Sequence, residues 1–496
     1  MNKPIRVMAI GCMLMFLALL INANYLQFFE ADSLNAHAGN RRVVNEEFSR
    51  DRGPILVGNQ QVAQSVPVKD PYRYLRVYKH PQLYGNLTGY YSYIYGRSGI
   101  ENSQNSILSG SDPRLFVNRV IDLVGSSQPK GGSVTLTINP AAQKAALDGL
   151  QALGQGTKGA VVALDPSTGA ILSMVSTPGY NPNLLASHSH GFKDSEKAWK
   201  QLNADPSQPL VDRSRLQIYP PGSTFKLVTA AAALSDPNLH LSPTSQVKAG
   251  PTLSFPGIQY TLTNEAGLAC GTTTIPFTQA LSQSCNTAFG GLALRVGQSR
   301  LAAQAAAFGF GDNSYLNDLS VAASHLTATS GESLNAPQLA QSGIGQFETA
   351  ATPLQMAMIA AGIANDGTVM KPYIVSEVRS PDVQVLDRAA PQVLHKAVST
   401  GVASELTQMM IDVARNGTGS SVSVPGVPLA SKTGTAQTTA SQKPYAWFVC
   451  FTPSSQQKVA VAVLVQPGNS IVRGDVSGSG LAGPIAAKVI EAVLGK

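Results

Sequence analysis

The chain has 496 residues, of which 43% are hydrophobic and 13% charged, a balance that suits a large buried core and excludes a disordered chain. At that length one large domain with one or two smaller pieces is expected. The net charge of +7 is spread along the sequence with no basic tract, which excludes a nucleic-acid surface and leaves a solvated exterior with mild affinity for an anionic membrane or wall.

Lys3 and Arg6 precede an uncharged stretch from Val7 to Phe29, most apolar from Val7 to Ile21. As a helix this stretch would extend roughly 35 Å, enough to cross a bilayer. Basic residues on the short N-terminal side orient that end to the cytoplasm and the remainder outside. A cleaved signal peptide is the competing reading, but the cleavage-like Ala36-His37-Ala38 lies far beyond the apolar run. Cys12 follows Gly11, yet the apolar run continues after it, against a lipoprotein signal. We therefore expect an uncleaved anchor over residues 1–29.

Residues 30–130 read as a separate pedestal. Eight of the 15 tyrosines fall between Tyr72 and Tyr95, interleaved with Arg73, Arg76 and Lys79. Such interleaving can contact nucleic acid or glycan, but a half-buried sheet surface is the simpler reading. A composition break at Gln128-Pro129-Lys130-Gly131-Gly132 marks the boundary with a larger domain over 131–496.

That domain opens with a strand at Val134–Ile138 and a helix from about Pro140 to Leu153. A hairpin follows, its strands Ala160–Leu164 and Ala170–Val175 joined by Asp165-Pro166-Ser167-Thr168-Gly169. Residues 178–212 are polar, plausible as a surface loop with a short helix near Trp199. Tyr219-Pro220-Pro221-Gly222-Ser223-Thr224-Phe225-Lys226 then leads into an alanine-rich helix. Pro276 to Phe310 reads as helical with a break near Ser284. Thr352 and Pro353 start a helix that ends by Gly367. Strands at Ala446–Phe451 and Val459–Val465 are joined by a polar turn, and an amphipathic helix from about Leu481 to Leu494 closes the chain. Strand pairs surrounded by helices indicate an α+β layered domain. Cys270 and Cys285 would either form a disulfide outside the cell or remain two buried thiols, and Cys450 reads as a core residue.

The chemistry resides in three short motifs. At i and i+3 on a nascent helix, Ser223 and Lys226 share a face, so an amine can reach the hydroxyl, and the positive end of the helix dipole lies beside any oxyanion formed there. S-x-x-K recurs at Ser127/Lys130 and Ser455/Lys458 and is weak alone. Ser284-Cys285-Asn286 begins 61 positions later and offers a hydroxyl to relay a proton and a carboxamide to bind a substrate amide. Its echoes are Ser103-Gln104-Asn105 and Ser333-Leu334-Asn335, and its plainer reading is a helix cap. Lys432-Thr433-Gly434-Thr435 lies 148 positions further on. Lys432 would favour the neutral form of Lys226, Thr433 and Thr435 offer hydroxyls to a substrate carboxylate, and Gly434 lets a ligand approach the backbone. The amides of Thr435 and Ser223 would form an oxyanion hole. The ordered set S-x-x-K, S-x-N, K-T-G is that of serine β-lactamases and penicillin-binding proteins.

The sequence resembles the class B penicillin-binding proteins, with the layout of their actinobacterial A-type branch. The likeness runs nearly the whole length and includes Arg50-Asp51-Arg52-Gly53-Pro54-Ile55, Gly99-Ile100-Glu101, Gly159–Asp165 and Ile344-Gly345-Gln346. It implies an antiparallel sheet between helices with an all-helical subdomain. It also implies a D,D-transpeptidase that cross-links D-Ala-D-Ala stem peptides, is acylated by β-lactams, and works with a SEDS-type glycosyltransferase. Catalysis would rest on Ser223, Lys226 and Ser284, and substrate binding on Asn286, Lys432, Thr433, Gly434 and Thr435, with no metal or organic cofactor. Two departures stand out: Phe347 occupies the position where many relatives have a second glycine, and the pedestal is short.

Other readings share parts of this pattern. A D,D-carboxypeptidase would use the same residues with water as acceptor. A class A β-lactamase would need E-x-x-L-N, but Glu332-Ser333-Leu334-Asn335 is one residue short, which turns the asparagine by roughly 100° on a helix. A β-lactam-sensing receptor would need signalling machinery inside the cell, where only about five residues are expected. A division scaffold with a vestigial site would not need three intact motifs.

Overall fold

A computed structural model describes residues 2–30, 34, 41–115, 130–265, 270–271, 273–327, 331, 333–437, 442–454 and 457–496. The Ala36-His37-Ala38 triplet, the Gln128-Pro129 break, Ser127, Glu332 and Ser455 lie outside them.

The apolar N-terminal run forms one helix, Asn2–Phe28, with its side chains exposed along its length. Its segment Lys3–Phe28 is long and apolar enough to cross a membrane. The remainder is an α+β molecule built on two sheets.

The larger core surrounds a five-stranded antiparallel sheet in the order Ala430–Ala436, Tyr445–Phe451, Ala460–Gln466, Lys158–Leu164, Ile171–Thr177. Its central strands are apolar on both faces because both faces are covered. Phe448, Cys450, Val461 and Val463 pack against the helices Pro140–Gln151 and Gly483–Leu494 on one side. Trp447, Val449, Ala462 and Leu464 face the other side, where the wholly buried helix Pro353–Ala364 lies. Strict alternation along each strand divides these two sets. Thr352 caps the Pro353–Ala364 helix by accepting from the Gln355 amide, as its position before a proline implies.

The second sheet is mixed and six-stranded: Val385–Arg388, Val375–Arg379, Ser133–Leu136, Ile55–Val57, Gln60–Pro67, Tyr74–Tyr78. Ile55–Val57 runs parallel to Ser133–Leu136, and the other pairings are antiparallel. Beneath it, buried Glu101 accepts from Arg52 Nε at 2.6 Å and Arg76 Nε at 2.7 Å, while Tyr78 donates to it at 3.2 Å. The R-D-R-G-P and G-I-E stretches thus meet in one buried ion cluster.

The tyrosine-rich stretch is only partly a sheet surface. Tyr74 and Tyr78 lie on a strand, but Tyr95 stacks on Trp199 at 4.4 Å and Tyr93 on Phe192 at 4.7 Å. Residues 183–204 include a 12-residue helix, Lys193–Ala204, that supports this aromatic seam.

Candidate active site

Pro220, Pro221 and Gly222 break the preceding chain, and Ser223 falls in a single 3-10 turn, Gly222–Phe225, that leads into the helix Lys226–Ser235. The turn is clamped on two sides. Trp447 Nε1 donates to Pro220 O at 2.9 Å, and the Gly222 amide donates to Gly345 O at 2.9 Å. Gly345 has φ +73°, and a Cβ there would lie 2.2 Å from Gly222 O, so only glycine permits the clamp. Phe347 also adopts a left-handed φ, +60°, with its ring 38% exposed, so the loop keeps a glycine-like turn although the glycine is replaced.

The S-x-N motif occupies the break between the helices Phe277–Ser282 and Asn286–Val296. Ser284 has φ +59°, a strained conformation that aims both its carbonyl and its hydroxyl at the lysines. A disulfide joins Cys285 to Cys270, which resolves the two cysteine readings in favour of the bridge. Asn286 Nδ2 donates to Thr263 O at 3.0 Å, which fixes its carbonyl oxygen toward the site.

The K-T-G strand forms the opposite wall, at the edge of the five-stranded sheet. A Cβ at Gly434 would lie 3.0 Å from Thr224 Cγ2 and 3.1 Å from Pro221 O, so glycine lets this strand lie close against the serine turn. Thr433 is 8% exposed and shares a 2.6 Å hydrogen bond with Thr418, while Thr435 lines the cavity that holds Ser223.

These walls bring the three motifs together around two buried amines. Lys226 Nζ lies 3.0 Å from Ser223 Oγ, 2.6 Å from Ser284 O, 3.3 Å from Ser284 Oγ and 2.7 Å from Asn286 Oδ1. Lys432 Nζ lies 2.8 Å from Ser284 Oγ and also donates to Thr433 O at 2.9 Å. Both lysine side chains are buried. Burial first, then the charge of Lys432, pushes Lys226 well below the ordinary lysine range, against a smaller opposing pull from Glu265. Burial brings Lys432 down to about 7, with Glu265 again opposing. Ser223 opens onto a cavity of about 430 Å³.

The motif echoes do other work. Asn105 accepts from Arg52, Gln104 donates to Asp318, and Asn335 caps the helix Ala336–Ser342 in a capping box. The sequence reading passed over one wall of the cavity, the hairpin Thr252–Phe255/Ile258–Thr263, which carries Tyr260 and leads to Glu265. Its turn signal was present, since Phe255-Pro256-Gly257-Ile258 places Pro-Gly between two β-prone runs.

Known proteins resemble this chain in sequence and fold. The penicillin binding protein transpeptidase domain family matches residues 159–491, and the penicillin binding protein A dimerisation domain family matches residues 52–134. The chain is 42% identical to the peptidoglycan D,D-transpeptidase PbpA of Mycolicibacterium smegmatis, over 100% of this chain and 99% of that protein. It is also 42% identical to PbpA of Mycobacterium tuberculosis with the same coverage. Penicillin-binding protein A from M. tuberculosis, solved as its ceftriaxone acyl-enzyme, matches with a TM-score of 0.83 and 41% identity over 91% of this chain and 100% of that one. The chain belongs to the penicillin-binding protein transpeptidases.

Proposed function

We infer that the protein is a peptidoglycan D,D-transpeptidase that works through an acyl-enzyme on Ser223. The observation that carries this reading is the set of partners around Lys226 Nζ. A neutral amine has two hydrogens and one lone pair. Its two nearest partners, Ser284 O and Asn286 Oδ1, can only accept. They take the hydrogens and leave the lone pair for the Ser223 hydroxyl at 3.0 Å.

Ser223 Oγ attacks the carbonyl of the penultimate D-alanine as Lys226 takes its proton, and the oxyanion draws on the amides of Ser223 and Thr435. Ser284, between the two lysines, passes the proton to the departing D-alanine nitrogen, and the C–N bond breaks. The amine of a neighbouring stem then attacks the ester, the C–O bond to Ser223 breaks, and Ser223 regains a proton. Lys432, Thr433 and Thr435 hold the terminal carboxylate, Asn286 holds the substrate backbone, and Gly434 gives it room. A β-lactam enters the first half of this cycle and stalls there.

The N-terminal helix serves as a single-pass anchor over residues 1–29, with its tip in the cytoplasm, a pedestal over 30–130 and the catalytic domain over 131–496 outside. Lys3 and Arg6 support that orientation. The fully exposed apolar helix also offers a lateral surface to a SEDS-type glycosyltransferase in the same membrane.

The test labels the full chain in detergent with a fluorescent penicillin, maps the labelled peptide and follows loss of label. A long-lived adduct on Ser223, absent in Ser223→Ala, is expected. Fast loss with drug turnover would indicate a β-lactamase, and no adduct would refute the catalytic reading.

A further inference from the structure

The cavity at Ser223 has an electrostatic asymmetry that the acylation chemistry does not use. Among its described lining residues, Glu265 is the only one with a formal charge. The others that reach it with polar atoms include Gln341, Gln346 and Gln437, whose carboxamide oxygens can accept from a donor. Tyr260 adds an aromatic ring, 40% exposed and stacked on Phe255 at 5.9 Å. A carboxylate, an aromatic ring and several neutral acceptors form the setting that holds an alkylammonium, by charge and by cation–π attraction.

The backbone that leads into Glu265 is anchored. Its neighbour Asn264, 7% exposed, accepts from the Thr287 amide at 3.0 Å and donates to Gly250 O at 3.3 Å. Two residues back, Thr263 O receives Asn286 Nδ2. The end of the hairpin is therefore tied to the S-x-N helix, and Glu265, the next residue, lines the same cavity as the nucleophile. Its influence on both buried lysines is consistent with that position.

We propose that Glu265 and Tyr260 form the subsite for the ammonium group of the incoming acyl acceptor, so that this wall selects charged amines for transfer. The donor half needs no cation here, because the leaving stem peptide presents a carboxylate to Lys432, Thr433 and Thr435 on the opposite wall. An ammonium docked on Glu265 loses one proton to water. The free amine then attacks the Ser223 ester, and its second proton goes to Ser223 Oγ through Lys226. This assignment rests on the transpeptidase reading and adds the residues that decide which acceptor is used.

The test uses the full chain in detergent with an acyl-D-alanyl thioester donor and two competing acceptors. One is a lysine-containing tripeptide amide, cationic at neutral pH, and the other is hydroxylamine, uncharged there. The readout is the ratio of transfer to the two acceptors, which is internal to each preparation and insensitive to the fraction of folded enzyme. Glu265→Gln is expected to lower the ratio by roughly tenfold, through KM for the tripeptide, as expected for loss of one charge-assisted contact. Glu265→Asp should recover part of it, and Tyr260→Leu should lower it roughly threefold. An unchanged ratio in Glu265→Gln, or equal losses with both acceptors, would overturn the assignment while leaving the transpeptidase intact. A wild-type enzyme that forms the acyl-enzyme yet passes nothing to either amine would overturn both.

Discussion

Two of the buried sets of ionisable groups in this molecule are built on opposite principles. Under the six-stranded sheet, one carboxylate lies between two guanidiniums. Burial pushes the Glu101 carboxyl up, but Arg76 and Arg52 outweigh it and hold the group below its ordinary range. Every charge there has an opposite charge in contact, and the cluster links sequence segments 49 and 25 residues apart. In the active site two lysines are buried together, with only the more exposed Glu265 opposing them. The first arrangement lowers the energy of charge in the interior. The second raises it, and the energy appears as a reactive amine.

The comparison can be broken most directly at Lys226. Lys226→Ala should reduce acylation by fluorescent penicillin roughly a thousandfold, the usual loss on removing a general base. The fold should persist, since no opposite charge is stranded. Glu101→Gln should do the reverse: it takes the ion-pair partner from buried Arg76 and leaves buried Arg52 with only Glu47, 3.5 Å away, at a cost of about 3–5 kcal/mol. The two tryptophans separate the regions. Trp199, stacked on Tyr95, should report an earlier unfolding midpoint in urea than Trp447, which is fully buried in the central sheet. Coincident loss at both would mean that the cluster stabilises the whole chain.

The disulfide sharpens the contrast, because the lysine pair contributes no cohesion to its own surroundings. Cys270→Ser opens a loop of 15 residues beside the S-x-N motif and should lower stability by about 3 kcal/mol, read by denaturation with and without reductant. The smallest effect concerns pH. In the proposed mechanism Lys226 acts when neutral, so acylation should fall as pH drops through its lowered pKa. In the same mechanism Lys432 acts when charged, so acylation should also fall as pH rises through about 7. Lys432→Arg, which stays protonated, should move only the alkaline limb upward. An unmoved limb would assign it to another group.

Much of this was legible in the residues. The three motifs, the break at Ser284, the Thr352-Pro353 helix start and the paired apolar strands near the C-terminus all follow local rules, and local rules are visible in sequence. The chain gives no local sign of which motifs will converge. S-x-N occurs four times in it, and among the described residues only the copy beginning at Ser284 lies between two helices that face Lys226. The hairpin bearing Tyr260 was missed because its strands are short and mostly exposed, without the apolar alternation that marks a core strand. Glu101 was likewise unreadable as a cluster member, since the arginines that neutralise it come from other segments.

The six-stranded sheet has a consequence for how the chain comes to be folded. Ser133–Leu136 pairs on one side with Ile55–Val57 and on the other with Val375–Arg379, more than two hundred positions later. During synthesis the N-terminal part emerges first, yet its sheet cannot close until the strand beginning at Val375 has followed. Contacts of such sequence separation form slowly, because a long loop must be closed before they stabilise anything. Until then the edge of Ser133–Leu136 stands open. The interval between the arrival of its first and last strands is when the nascent enzyme is most exposed to proteases and to wrong strand partners.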